Sequence, residues 1–172
     1  KAKNVGVIGA GAWGSGLAQA IARGGHKVQI WAREQDVVDG INNEHENKRY
    51  LPGYPLSENL TASIDIEEVA NGKEYLILAS PSLFIASTAK QIANVPSIKN
   101  GETVIGVLTK GFVASEKGPR LILETLEDVD HGDLDDVGSG TLDGGVDGVT
   151  FSKASNGSIG AIDVGQIATT PE

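Results

Sequence analysis

The sequence contains no cysteine and no methionine. The first absence excludes a disulfide framework and any thiolate metal site, and it fits a cytoplasmic protein. The second is what a processed or truncated start would leave. Basic side chains are scarce, at 14 against 23 acidic ones, for a net charge of -9. A general nucleic-acid binder would show a basic stripe instead, so no nucleic-acid partner is expected. Long hydrophobic runs are missing too. None approaches the roughly 20 residues that cross a bilayer. Lys1-Ala2-Lys3 leads directly into a strand pattern, not into the apolar centre of a signal peptide. No membrane partner is expected either. What remains is an ordinary balance, with 40% apolar and 22% charged residues over 172 positions. That length holds one domain with a sizeable core and leaves space for an appendage.

The acidity is uneven. Residues 130–172 carry eight acidic side chains and one basic, with nine glycines and a single aromatic, Phe151. No helical or strand period runs through them, so 1–129 reads as the folded domain and 130–172 as an irregular or partly extended Gly/Asp-rich tail. Gly148–Ser152 and Ser158–Asp163 are its candidate short strands. Asp128, Asp130, Asp133, Asp135 and Asp136 lack the alternating ligand pattern and closing Glu of a calcium loop, so no metal site is assigned.

The most informative stretch is Val5-Gly6-Val7-Ile8-Gly9-Ala10-Gly11-Ala12-Trp13-Gly14. An apolar run leads into Gly-x-Gly-x-x-Gly, and a helical pattern follows with Leu17, Ala18 and Ile21 on one face. Gly24-Gly25 stops that helix, and Lys27–Ala32 alternates as a second strand. Strand, glycine turn, helix and strand make a βαβ unit with a right-handed crossover. In a dinucleotide site the first glycine permits the tight turn and the second removes a side chain where backbone meets pyrophosphate. The third lets helix and strand pack closely. The phosphate charge then rests on the helix N-terminus.

Further along, Val37, Val38 and Ile41 mark a second helix, followed by a polar loop through Gly53. Leu60–Ser63 reads as a strand, and Asp65 with Glu68 as a capping box opening a brief helix. Tyr75–Ala79 and Thr103–Leu108 read as buried strands. Between them lies a helix over about 83–93, with Phe84, Ile85, Ala89 and Ile92 inward. A last helix is expected to start near Pro119 and to carry Leu121, Ile122 and Leu126 inward. Alternating elements of this kind specify an α/β fold, a doubly wound, mostly parallel sheet of Rossmann type.

Ligands of such sheets bind beyond the carboxyl ends of the strands. The residues there are Gly9–Gly14, Arg33, Ser80-Pro81-Ser82 and Thr109-Lys110-Gly111. Arg33 can serve a ribose 2'-phosphate or stack on adenine, or it can pair with Glu34 at the surface. NADP and NAD therefore both stay open. Lys110 either reaches into the cleft to polarise a carbonyl or hold a phosphate, or snorkels from the sheet edge. His26, His45 and His131 show no triad or metal spacing and read as surface residues.

Gly9-Ala-Gly-Ala-Trp-Gly14, Ile30-Trp-Ala-Arg33, His45-Glu-Asn-Lys-Arg-Tyr-Leu-Pro-Gly53, Ala79-Ser-Pro-Ser82 and Thr109-Lys-Gly111 stand in the order found in NAD(P)-dependent glycerol-3-phosphate dehydrogenase. Residues 3–128 resemble the cofactor domain of that family, and the His-Glu-Asn-Lys block is its most specific mark. The resemblance implies hydride transfer between NAD(P)H and dihydroxyacetone phosphate, giving sn-glycerol 3-phosphate. It implies that Gly9, Gly11, Ala12, Trp13, Gly14, Arg33, Pro81 and Lys110 line the cofactor site. Lys110 is implied as the catalytic lysine touching substrate and nicotinamide. It leaves room for a homodimer. Residues 130–172 show neither the family's substrate loop nor its second catalytic lysine, so the chain alone is expected to bind cofactor without full turnover. A related hydroxy-acid dehydrogenase, of ketopantoate or 6-phosphogluconate type, and a non-catalytic dinucleotide-binding module are the other readings of the same residues.

Overall fold

The run Val5–Ile8 is apolar on successive residues because strand β1 (Asn4–Ile8) is covered on both faces. Val5 and Val7 point to one side and Ile8 to the other, as the two-residue period of a strand requires. On the first side they meet helix α1 (Ala12–Arg23) and α2 (Gln35–Asp39), through Ala18, Ala22, Val37 and Val38. On the second, Ile8 joins Leu76 and Leu78 of β4 (Tyr75–Leu78). It packs there with α3 (Ile66–Ala70) and α4 (Ser82–Ile92), through Val69, Ala70, Ile85 and Ala89. One sheet thus separates two cores. Each fully buried Leu or Ile contributes about 1.5–3 kcal/mol by leaving water.

The structure is a computed structural model. It describes residues 1–108 with their side chains. Beyond them it describes the backbone of Phe112–Ser115, Gly118–Leu121, Val137–Leu142, Thr150–Ser155 and Ser158–Asp163, strands β6 to β10. With β2 (Lys27–Trp31), β3 (Leu60–Ser63) and β5 (Val104–Val107), five strands run parallel in the order β3-β2-β1-β4-β5. That is the doubly wound order, with the chain crossing from one face to the other between β1 and β4. A short helix α5 (Pro96–Lys99) precedes β5. On the β5 edge, β9 pairs antiparallel in the register Val104↔Lys153 to Val107↔Thr150, and β10 pairs antiparallel with β9. A separate three-stranded sheet has the order β7-β6-β8.

Four details depart from the pattern read in the sequence. Helix α1 begins at Ala12 and not at Gly14, with Gly11 as its N-cap, so the last glycine of the triplet lies inside the first turn. At α3 only half of the capping box forms. The Asp65 carboxylate accepts the amides of Glu67 and Glu68, at 3.0 and 3.2 Å. Glu68 instead accepts from Ser63 Oγ and Gln29 Nε2, because β3 and β2 lie beside it. Phe84 is 43% exposed and not inward. Finally, no helix starts at Pro119: Gly118–Leu121 is β7, paired with β6 as Ala114↔Pro119. A residue before proline avoids helical backbone, and a proline suits an edge strand, which β7 is. Ile122 and Leu126 lie outside the described residues. Of the expected tail strands, Ser158–Asp163 is β10 and the other overlaps β9.

Candidate functional site

The glycine turn owes its shape to close contacts at two of its three glycines. Gly9 has φ +118°, where a side chain is strained, and a Cβ there would lie 2.9 Å from the Ala79 carbonyl carbon. Its amide donates to Trp31 O at 3.2 Å, tying β1 to the end of β2. A Cβ on Gly14 would sit 2.0 Å from Gly9 O, so α1 rests directly on the turn. Gly11 differs. Nothing lies within 4 Å of where its Cβ would be, and its backbone is ordinary, at φ -64° and ψ 178°. No packing requirement excludes a side chain at Gly11; the space beside it is open.

That space belongs to a cleft of about 410 Å³ at the carboxyl ends of β1, β2 and β4. Its floor is Gly9–Gly14. The first hydrogen bond of α1 runs from Ser15 N to Gly11 O at 2.9 Å. Amides ahead of it in the first turn have no acceptor within the helix, and no acidic side chain occupies that turn. The cleft floor therefore presents the positive end of a 12-residue helix.

The walls come from three other segments. After β4, Ala79, Ser80 and Pro81 lead into α4. The α4 residues Phe84, Ser87, Thr88 and Gln91 face the cleft at spacings of three and four, one helical stripe over from buried Ile85, Ala89 and Ile92. This stripe was legible in the sequence, and grouping Phe84 with the core residues hid it. After β2 come Arg33 and Glu34. The Arg33 guanidinium stands 3.6 Å from the Glu34 carboxylate and 6.0 Å from the centre of the Phe84 ring. Tyr50 closes the same side, its hydroxyl donating to Glu34 Oε1 at 3.1 Å. The Arg33 side chain is 71% exposed, that of Glu34 only 20%. Arg33 thus pairs with Glu34 at the surface, and it also lines the cleft.

Every expected cofactor-lining residue among the described residues, namely Gly9, Gly11, Ala12, Trp13, Gly14, Arg33 and Pro81, lines this one cleft. Trp13 stands at its rim, 69% exposed. Lys110 lies outside the described residues, as do Thr109 and Gly111. The last described residue before them is Leu108, whose amide donates to Leu78 O at 2.8 Å beside the end of β4. Among the histidines, His26 is not a free surface group, since its Nδ1 accepts the Lys3 amide at 3.1 Å. His45 is half-buried at a turn with φ +52°, and His131 lies outside the described residues.

The sequence reading missed Asn47. This residue is fully buried, and its Nδ2 donates to Ala10 O at 2.9 Å and to Ser15 Oγ at 2.8 Å. The 45–53 loop is thereby fastened to the underside of the glycine turn. Among the described residues no group of His, Asp and Glu could hold a metal ion, and no helix is long and apolar enough to cross a membrane.

Comparison with known proteins now bears on this geometry. The sequence profile described as "NAD-dependent glycerol-3-phosphate dehydrogenase N-terminus" matches residues 4–138. A glycerol-3-phosphate dehydrogenase (NAD(P)+) of Treponema denticola is 40% identical over 129 residues, 72% of this chain and 36% of that protein. The crystal structure of glycerol-3-phosphate dehydrogenase from Coxiella burnetii superposes with a TM-score of 0.64 at 34% identity, over 73% of this chain and 37% of that one. Its counterpart from Saccharomyces cerevisiae gives 0.66 at 26% identity, over 75% and 39%. The chain spans little more than a third of the length of these relatives.

Proposed function

Since the chain belongs to the family of NAD-dependent glycerol-3-phosphate dehydrogenases, matching their N-terminal part, we propose that it binds NAD or NADP in the β1–β4 cleft. The enzyme of which it forms part would interconvert dihydroxyacetone phosphate and sn-glycerol 3-phosphate. The observation that carries the reading is Gly11. Gly9 and Gly14 are glycines for packing reasons, whereas Gly11 borders open space at a helix N-terminus, where a pyrophosphate would need room.

The assigned roles follow from position. The amides of Ala12, Trp13 and Gly14 would hold the pyrophosphate. Arg33 and Phe84 would flank the adenosine. The Glu34 carboxylate suits a ribose 2'-hydroxyl and the Arg33 guanidinium a 2'-phosphate, which is why both cofactors fit the reading. Pro81 would border the nicotinamide half. When bound there, NAD(P) would supply the hydride donor or acceptor. Lys110, two residues past Leu108, would hold the substrate carbonyl oxygen as negative charge develops on it. We take 1–129 as the dinucleotide-binding domain and 130–172 as a tail with no assigned role.

The reading includes a phosphate-ester substrate, a cytoplasmic location and contact with neither nucleic acid nor membrane. It also includes a homodimer as the assembly to test. The related hydroxy-acid dehydrogenases and the non-catalytic module are not favoured. Titration of this chain with NADH and NADPH, followed by tryptophan emission and melting temperature, is the direct test. Binding of either supports the reading, and a flat response to both rejects it. Activity of the full-length enzyme on dihydroxyacetone phosphate tests the substrate.

A further inference from the structure

Asn47 uses every hydrogen bond its side-chain amide can direct inward. Its two N–H groups go to Ala10 O and Ser15 Oγ, and Ser15 Oγ also donates to Ala10 O at 3.1 Å. Its Oδ1 accepts the Tyr50 amide at 3.1 Å, and its own carbonyl accepts the Leu51 amide at 2.9 Å. One buried residue therefore joins three parts of the cleft. Ala10 lies between the first two glycines, Ser15 closes the first turn of α1, and Tyr50 carries its hydroxyl to Glu34 on the wall. The rest of the loop is fixed independently, by Glu46 Oε1 accepting the Gly53 amide and His45 O accepting the Leu56 amide. Loss of the Asn47 amide would thus uncouple Tyr50 from Ala10 and Ser15 without releasing the whole loop.

We propose that Asn47 is a positioning residue for the cofactor cleft, setting the glycine turn and the Tyr50–Glu34 wall at a fixed separation. This rests on the reading of the cleft as a dinucleotide site. The chemistry required is specific: a donor toward Ala10 O and an acceptor toward the Tyr50 amide, which an amide supplies and a carboxylate does not. An ionised carboxylate of the same shape would place lone pairs against the Ala10 carbonyl. It would recover a donor only when protonated, and burial raises the pH at which that happens.

The experiment is NADH titration of the wild-type chain, Asn47→Asp and Ser15→Ala at pH 8 and pH 6, with each variant's fold checked by circular dichroism. For N47D the expected result at pH 8 is an affinity at least about tenfold below wild type, as one unsatisfied buried acceptor implies. The gap should narrow at pH 6, which a role confined to filling space would not produce. S15A keeps the Asn47–Ala10 bond and should lose about threefold at both pH values. Should N47D fail to fold, S15A decides alone: unchanged affinity there overturns the proposal. Wild-type binding with N47D equal to wild type, or weakened equally at both pH values, overturns it too. NADPH replaces NADH in the titration if wild type binds only NADPH; if wild type binds neither, the reading of the cleft falls and the proposal with it.

Discussion

Gly11 and Gly14 stand three residues apart in one motif and differ in what surrounds them. A methyl group on Gly14 would meet the Gly9 carbonyl oxygen at 2.0 Å, so Gly14→Ala must push α1 off the sheet. We expect it to cost about 3 kcal/mol or more, measured by urea unfolding. A methyl group on Gly11 meets nothing within 4 Å and the backbone there suits alanine. Gly11→Ala should leave stability within about 1 kcal/mol of wild type, since the weaker cap and the stiffer unfolded chain offset one another. Its effect should appear in NADH affinity, lowered at least about tenfold as the methyl group meets the pyrophosphate. Equal affinity for Gly11→Ala and wild type would remove the pyrophosphate from this position. The triplet itself was legible from spacing, because strand, turn and helix surround it. Packing as the reason for the first and third glycines was expected from the motif, and the contacts that enforce it, Gly9 with Ala79 and Gly14 with the Gly9 carbonyl, are formed only in the fold.

At the scale of elements, the start of the sheet is held by charge. Lys3 Nζ donates to Glu74 Oε1 at 2.7 Å, and Glu74 Oε2 accepts the Asn4 amide at 3.1 Å. This ties the beginnings of β1 and β4 together. The bond with Lys3 holds the Glu74 carboxyl below its usual range, and the bond with Glu74 holds Lys3 above the usual lysine range. A depressed carboxyl contributes stability above about pH 4.5 that is lost as pH falls through the folded value. A raised lysine contributes below about pH 10.5 and loses it as pH rises through its own folded value. The melting temperatures of wild type and Glu74→Gln should therefore differ by a small, constant amount between those limits and converge in acid. A difference that persists at pH 2 would contradict this account. The elements were mostly legible, since their periods and caps are local. The start at Pro119 was not, because a proline that opens helices also suits an edge strand, and only pairing with β6 distinguishes the two.

For the whole molecule, a ligand that binds only the folded form adds stability by mass action. NADH at a hundredfold excess over its dissociation constant should add about 2.7 kcal/mol, which raises the melting temperature by roughly 5–10 °C in a chain of this size. A rise below about 1 °C at concentrations that saturate tryptophan quenching would show that quenching does not report the folded cleft. The floor and walls of that cleft come from four segments distant in sequence, and Tyr50 reaches Glu34 from the same loop that Asn47 fastens to Ala10.

Sequence alone determined the doubly wound order of elements, because hydrophobic period, glycine stops and caps act over a few residues. The glycine turn and the family loop at 45–53 were equally plain. Tertiary structure decided what those segments do to one another. It brought Arg33 and the Phe84 ring to one wall of the cleft and buried Asn47 beneath Ala10. Each of these depends on contacts across the fold, where local propensity carries no information.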